Sequence, residues 1–375
     1  MTAQTRWLAT AAWLSLSPWA LAQAQPASSS QLQIYGIVDM ALSAYHGEGA
    51  GTRSMITSSG NQASRVGFRG LEDLGGGMQA GFDLEAGLNV DTGAGLGTNT
   101  NNQPSGAVGG GGLTFNRKSY LFWRGALGEL RLGRDYTPSF WNTFVYDPYR
   151  VGVGISGPSM HGTTSTGIRA SNSVGYYTPG CSSFSCKGPF LQLMAASGEN
   201  TSGSEKSGDG NYWGFRAGYG AQNWDVALAS GKTKNRVAGN FTQTNIGASY
   251  LWQGHRLMLL AGENRSGRAQ TSLDGANRVR FAQVGGWIKV GNGADYIPTS
   301  YTYLKRNDSQ GSTAHKLSIG YVHALSRRTA LYGTLAYIHN SGSLQLAASS
   351  SAEMGPTPVP GGAASGIDLG IRHNF

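Results

Sequence analysis

Residues 78–86 decide the fold and read Met-Gln-Ala-Gly-Phe-Asp-Leu-Glu-Ala. The apolar residues occupy every second position, so they share one face of an extended strand, while Gln, Gly, Asp and Glu share the other. The same period of two returns at 212–219 and again in the last residues, 366–375. This alternation predicts strands that are apolar on one side only, which occur in soluble sheets and in membrane barrels alike.

The lengths of the connections between these segments distinguish a membrane barrel from a soluble sheet, because short and long connections alternate. Tight links such as 125–128 and 252–255 alternate with long polar stretches near 89–112, 196–211, 230–241, 263–279, 304–315 and 340–363. This pattern is typical of a transmembrane barrel with short periplasmic turns and long external loops. Counting from 31–44 to 364–375 predicts an all-β chain of sixteen antiparallel strands, with both termini on the periplasmic side. A barrel of that size is too wide for side chains to fill, so we expect a water-filled lumen.

The composition argues against an ordinary soluble protein of this length. The 375 residues include 58 glycines, and only 13% of them are charged. A chain with so few long aliphatic runs is poorly suited to form a large soluble core. Aromatic and β-branched residues nevertheless recur in evenly spaced segments, which argues against disorder.

The first residues are typical of a secretory signal. Arg6 precedes an apolar stretch at 7–19, and Ala20-Leu21-Ala22 provides a small-residue cleavage site, with Ala24 as the alternative end. A membrane anchor is the competing interpretation, but the stretch is short and contains Pro18. We therefore expect a cleaved signal at 1–22 and a barrel domain at 23–375. Cleavage would remove one arginine and lower the formal charge from +9 to +8.

The only two cysteines, Cys181 and Cys186, lie five residues apart. In an oxidising compartment this spacing favours a local disulfide. A metal site is the alternative, but the two further ligands that zinc prefers are missing nearby.

Several motifs in order resemble the general trimeric porins of Gram-negative bacteria, especially their β-proteobacterial branch. They lie at 33–36 (Gln-Ile-Tyr-Gly), 64–75, 132–134, 172–176 and the terminal Phe375. The resemblance covers the whole mature chain. It implies an outer-membrane homotrimer without enzymatic activity or cofactor, which lets small hydrophilic solutes and ions diffuse passively. It also implies that loop two, near 89–113, latches a neighbouring subunit, and that Phe375 is read by the barrel-assembly machinery.

In porins of this kind the third external loop folds inward and narrows the pore, and its acids face arginines on the barrel wall. Here that loop corresponds to 135–168. The wall positions that match the family are Arg65, Arg69, Arg117 and Arg169. The matching loop positions are Asp147 and Arg150.

The parity of the arginines supports this placement, since Arg65, Arg69 and Arg169 alternate with apolar neighbours. Arg117 is predicted to share its inward face with Ser119, which directs Tyr120 and Phe122 toward lipid. Arg134 has the parity of the apolar residues in its strand, so it is not counted among the arginines predicted to line the constriction.

The loop departs from the family pattern in a way that bears on selectivity. Where many relatives have a second acid, four residues after Asp147, this sequence has Val151. With one loop acid facing several arginines, we expect a preference for anions. Lumen-facing acids that would offset this preference are Asp39, Asp83, Glu85 and Asp368.

The long loops also carry basic residues, which we expect to meet lipopolysaccharide phosphates. They are Lys206, Lys232, Lys234, Arg236, Arg265, Arg268, Lys305 and Arg306. Nucleic acid is not an expected partner, because the basic residues alternate with small ones instead of forming a run.

Other interpretations of the sequence compete with that of a general diffusion porin. A substrate-selective channel for an organic or phosphate-like anion would use the same architecture. A Ser–His membrane hydrolase would need a nucleophile and a base on an outer rim, and no segment shows that pairing. A secreted β-rich adhesin would show a fixed internal repeat, which the variable loops do not supply. The glycine run at 109–112 lacks the strand-to-helix context of a phosphate-binding loop, and the scattered histidines suggest no metal site.

Overall fold

The computed structural model of the protein describes residues 30–156, 165–181, 186–349 and 353–375. The predicted signal segment at 1–22 lies outside these residues. Among the described residues, no helix has the length and apolar character needed to cross a membrane.

Sixteen antiparallel strands form one closed sheet, as the alternation predicted. In chain order they are β1 Gln31–Gly47, β2 in two segments (Gly51–Ser58 and Arg65–Gly75), β3 Met78–Asn89, β4 Lys118–Gly125, β5 Gly128–Tyr136, β6 Arg169–Tyr177, β7 Gly188–Ala196, β8 Tyr212–Gly220, β9 Trp224–Thr233, β10 Phe241–Trp252, β11 His255–Ser266, β12 Arg278–Lys289, β13 Tyr296–Arg306, β14 Thr313–Ala324, β15 Thr329–Asn340 and β16 Ala363–Asn374.

The barrel closes between its first and last strands. β1 pairs with β16 from Ile37 opposite Asn374 to Gly47 opposite Ala364. The terminal residue extends this ladder, because Phe375 and Gly36 exchange two backbone hydrogen bonds of 3.1 Å. Closure gives every strand two neighbours and leaves no open sheet edge.

Apolar residues point outward and polar residues point into the lumen, as the period of two requires. On β3, Asp83 and Glu85 are buried inside the barrel, whereas on β4 Leu121 is 63% exposed on the outer surface. The predicted parity of β4 is wrong. Tyr120 and Phe122 are buried on the lumen side, and Ser119 shares the outward side with Leu121.

Most long connections lie at one end of the barrel and most short ones at the other; 48–50, a three-residue loop, and 178–187, a long turn, are exceptions. The loops L2 (90–117) and L3 (137–168) are the longest, and L3 contains the helix α1, Pro138–Tyr146. Several loops are shorter than predicted, because β9, β11 and β13 continue into stretches that look polar in the sequence.

The connection between β6 and β7, residues 178–187, is the longest of the turns at the opposite end. Cys181 and Cys186 are joined there as a disulfide. The Gln192 amide donates a hydrogen bond of 3.3 Å to the Cys181 sulfur. The bonded pair packs against an apolar cluster formed by α1 and the surrounding strands.

The second strand is interrupted at 59–64, and the carboxylate of Asp39 on β1 supports the interruption. Three backbone N–H groups, those of Gly60, Asn61 and Gln62, donate to it at 3.0, 3.1 and 2.6 Å. The Tyr332 hydroxyl from β15 donates to the same carboxylate at 2.5 Å. This one buried side chain therefore replaces the ladder partners that the broken strand lacks.

We predict that Asp39→Ala destabilises the barrel, because three buried N–H groups lose their acceptor. The free energy of unfolding should fall by about 2–4 kcal/mol. The temperature at which the folded band converts to the unfolded band in detergent gels measures this effect. Asp91→Ala, which removes a partly exposed acid at the start of L2, is the control. An equal conversion temperature for both variants would contradict the role assigned to Asp39.

Candidate channel constriction

L3 lies inside the barrel along the inner wall, and its first half is bonded to β8, β9 and β10. Asn142 on α1 donates to the Ala227 carbonyl at 2.8 Å and accepts from the Arg216 guanidinium at 2.5 Å. The Asn245 amide donates to the Ser139 carbonyl at 3.0 Å. Each wall partner is a buried lumen-facing side chain or a strand carbonyl, so these bonds give buried polar groups on both surfaces a partner.

The second half of L3 continues along the wall toward β16. The Trp287 indole donates to the Pro148 carbonyl at 2.8 Å, and the Lys316 ammonium donates to the Ile155 carbonyl at 2.5 Å. The Val153 N–H donates to the Asp368 carboxylate at 2.8 Å. Residues 137–156 therefore cross the lumen from the β5–β6 side to the β16 side. The remaining part of the loop at 157–164 lies outside the described residues.

Apolar packing adds to these hydrogen bonds. Trp141, Val145 and Tyr146 of α1 join wall residues such as Phe190 and Phe281 in one buried cluster. Burying a large apolar side chain contributes about 1.5–3 kcal/mol. This contact with apolar wall residues explains why α1 has an apolar face although it lies inside a polar lumen.

The wall that α1 does not cover carries a cluster of basic side chains around Glu85. Nε atoms of Arg65 and Arg117 lie 3.3 and 2.7 Å from its carboxylate oxygens. Arg117 and Arg169 both donate to the Tyr136 hydroxyl, at 2.7 and 2.8 Å. The structure thus brings together Arg65, Arg117 and Arg169, which follow one another at intervals of 52 residues in the sequence.

A second acid, Asp83, lies below this group on the same strand. It accepts from Arg69 at 2.7 Å and from Lys118 at 3.2 Å. The Tyr35 hydroxyl donates to its other oxygen at 2.7 Å. Arg69 therefore faces the lumen as predicted, but it is paired with an acid of the wall.

The wall cluster is positive on balance. Its five basic residues are Arg65, Arg69, Arg117, Lys118 and Arg169, and its two acids are Asp83 and Glu85. Five positive and two negative charges leave a net charge of +3. Among the described residues, Arg169 has no acidic partner.

The structure corrects the expected position of Asp147. Its side chain does not face the arginines but is buried against the opposite wall. Its carboxylate accepts from the N–H groups of Tyr149 and Ser156 at 2.9 and 3.1 Å, and from the Gln283 amide at 3.2 Å. Burial raises the pKa of Asp147 above its ordinary value. This acid shapes L3 and contributes no exposed charge to the pore.

Arg150 is the charged residue of L3 that stays partly exposed. Its guanidinium lies 4.5 Å from the Phe144 ring centroid and 5.8 Å from that of Trp287. Burial and the positive charge of Arg256 lower its pKa to about 10, so it remains charged at neutral pH. L3 therefore adds a further positive charge to the lumen.

Two residues of the cluster, Lys118 and Tyr136, were missed by the sequence reasoning. Lys118 has the parity of Tyr120, so the wrong assignment of that strand hid it. Arg134, which was not placed in the cluster, supports L2 instead. It donates to the carbonyls of Asn116 and Asn99 at 2.6 and 3.0 Å.

Groups of three or more His, Cys, Asp or Glu side chains able to hold a metal ion do not occur in the described part of the chain.

Comparisons with known proteins agree with this architecture. The family model described as Gram-negative porin matches residues 9–343. Outer membrane porin protein 32 of Delftia acidovorans is 31% identical over 360 residues, which cover 93% of this chain and 95% of the relative. Porins are channels and not enzymes.

Solved structures show the same fold. An anion-selective porin from Comamonas acidovorans matches with a TM-score of 0.78 and 29% identity, covering 92% of this chain and 100% of that one. OmpT of Vibrio cholerae in its trimer form matches with a TM-score of 0.64 and 14% identity, covering 92% and 100%. With the closed sixteen-stranded barrel and a family match over most of its length, the chain belongs to the Gram-negative porins, outer-membrane channels through which small hydrophilic solutes diffuse passively.

Proposed function

We propose that this porin prefers anions and that its selective constriction lies between L3 and the basic wall cluster. The observation that carries the proposal is the convergence of three arginines: Arg65 and Arg117 pair with the Glu85 carboxylate, and Arg117 and Arg169 share the Tyr136 hydroxyl as acceptor. Arg150 supplies a positive charge from the loop side, and the loop acid Asp147 is buried. Passing solutes therefore meet positive charge on both sides.

Arginine suits this role because its charge does not titrate in the physiological range and its planar fork binds carboxylates and phosphates. Charges that line a narrow, low-dielectric opening act on ions more strongly than charges on an open surface. The similarity to a porin that is itself described as anion-selective supports the proposal.

Selectivity should respond to the charge of the wall cluster. In a planar bilayer under a salt gradient, Arg117→Ala should lower the anion-to-cation permeability ratio by about two- to fivefold, because one positive charge is lost near the ion path. Glu85→Gln should raise the ratio. Asp147→Asn is the matched control and should leave it unchanged, because that carboxylate lies against the opposite wall, away from the arginines, where N–H groups of L3 and the Gln283 amide bind it.

Reversal potentials give these ratios directly, and heat-dependent gel migration verifies that each variant is folded. Cation preference of the wild type would disprove the proposal. A large effect of Asp147→Asn would show that the loop acid contacts the ion path.

We also propose that three copies associate through the outer surface of β1–β6. This surface forms an apolar groove, lined by side chains that include Leu32, Leu71, Phe82, Leu121, Trp123, Leu130, Leu132 and Val174. The tip of L2 is bonded to its own chain, since the Asn102 amide donates to the carbonyls of Ser171 and Ser197 at 2.9 and 3.0 Å. Contact between strand faces therefore explains association better than a latch formed by this tip.

Substitutions on two outer faces can test this interface. Leu121 and Leu132 are direct cross-strand neighbours in the groove, and Leu259 and Val284 form an equivalent pair on β11 and β12. Replacing the first pair with glutamine should convert trimers into smaller species in detergent, as measured by light scattering. The same change in the second pair should not. Equal masses for both double variants would refute the assigned face.

A lipopolysaccharide site is proposed on the outer surface of β9–β13, near the loops. The structure places Lys232, Arg265, Lys305 and Arg306 on strand ends, whereas the sequence predicted them in loops. Lys232, Arg265 and Lys305 lie on the outer face. Arg280 is directly opposite Lys305, and Glu263 is the acid that pairs with Arg280, at 2.8 Å. These outward-facing cations suit the phosphates of an anionic lipid headgroup.

Arg280→Gln combined with Lys305→Gln should reduce the lipopolysaccharide that co-purifies with the barrel several-fold, because two cations next to each other are lost. Phosphate per protein after detergent extraction is the measurement. Lys187→Gln, which removes an exposed cation from the 178–187 turn at the opposite end of the barrel, is the control. Unchanged phosphate in the double variant would argue against this site.

A further inference from the structure

Three aromatic rings stack at the base of L3, next to the basic wall cluster. The ring centroids of Tyr136 and Phe140 are 5.3 Å apart with an interplanar angle of 12°. Those of Tyr136 and Phe144 are 6.4 Å apart with an angle of 21°. Tyr136 and Phe140 are buried, whereas Phe144 is partly exposed. We name these three residues the ring stack.

Guanidinium groups from both sides of the constriction lie over the ring stack. Arg169 and Arg117 of the wall lie 4.4 and 5.9 Å from the Tyr136 centroid. Arg150 of L3 lies 4.5 Å from the Phe144 centroid. Planar cations and aromatic faces therefore alternate around the opening, an arrangement that stabilises both kinds of group.

This juxtaposition offers a solute more than positive charge. An ion such as chloride or acetate can use only the guanidinium groups. A planar aromatic carboxylate can also place its ring against a guanidinium plane or an aromatic ring, while its carboxylate accepts hydrogen bonds from an arginine. Arg169 suits that second role, because it has no acidic partner among the described residues.

Resting on the anion-preferring constriction proposed above, we infer that the channel discriminates among organic anions and binds aromatic carboxylates in transit more strongly than aliphatic ones. The ring stack with Arg150 supplies the discrimination, and Arg169 supplies the charge. Phe144 is the residue on which the discrimination depends, since it is the partly exposed member of the stack.

The test compares benzoate with cyclohexanecarboxylate, two monoanions of similar size that differ in the planar aromatic ring. Each is added to single channels in a planar bilayer at neutral pH, and the concentration that halves the chloride current is measured. We expect this concentration to be about three- to tenfold lower for benzoate. Phe144→Leu should bring the two values together, because it keeps an apolar side chain but removes the aromatic face.

Phe115→Leu is the matched control. Phe115 is also partly exposed, but it packs edge-on against Phe68 on the outer side of the barrel, with centroids 6.2 Å apart. This variant should retain the wild-type ratio. Arg169→Gln should weaken the block by both acids, because the lost charge serves either carboxylate.

Equal block by the two acids in the wild type would overturn the inference. So would a benzoate preference that survives Phe144→Leu. Reversal potentials in potassium chloride, recorded in the same membranes, report separately on the anion preference. Loss of that preference would overturn the proposed function, whereas intact anion preference without benzoate discrimination would overturn only the inference.

Discussion

Everything in this molecule depends on the pairing of β1 with β16. In lipid, a backbone N–H or C=O without a partner costs several kcal/mol, so a sheet can cross a membrane only when its two edges meet. The ladder between Ile37 and Asn374, extended by Phe375 and Gly36, closes the ring. Closure at sixteen strands then fixes a diameter that side chains cannot fill. The open lumen therefore results from backbone hydrogen bonding and does not depend on any particular side chain.

That lumen imposes a second requirement, because it has two different walls. Around β2–β6 the inward side chains include arginines and a lysine that are paired with carboxylates of β3 and β5. Around β7–β12 an apolar patch that includes Phe190 and Phe281 faces inward, and α1 covers it. The loop thus occupies the wall that water would solvate poorly and leaves the charged wall open. The distribution of apolar and charged side chains on the inner wall therefore determines both where the pore lies and which charges line it.

The sequence predicted the architecture well, because a period of two and alternating connection lengths are local patterns. It also placed Arg65, Arg69, Arg117 and Arg169 on the lumen side. It failed where position depends on chain path. The strand parity from Lys118 onward was reversed, because Arg117 and Lys118 are adjacent and yet both pair with lumen acids, so the alternation is broken where β4 begins. Asp147 was assigned to the pore because its position matches the loop acid of the porin family, whereas its partners, the N–H groups of Tyr149 and Ser156 and the Gln283 amide, are set by the fold of L3.

L3 also has a mechanical meaning. A ring one sheet thick is stiff along its strands but soft toward flattening into an ellipse. L3 leaves the ring between β5 and β6, is bonded along β8–β10, and ends its described course against β14 and β16 through Lys316 and Asp368. A chord fixed at both ends resists changes in the diameter that it spans. The segment proposed to narrow the opening would therefore also hold the strands at its two ends at a fixed separation.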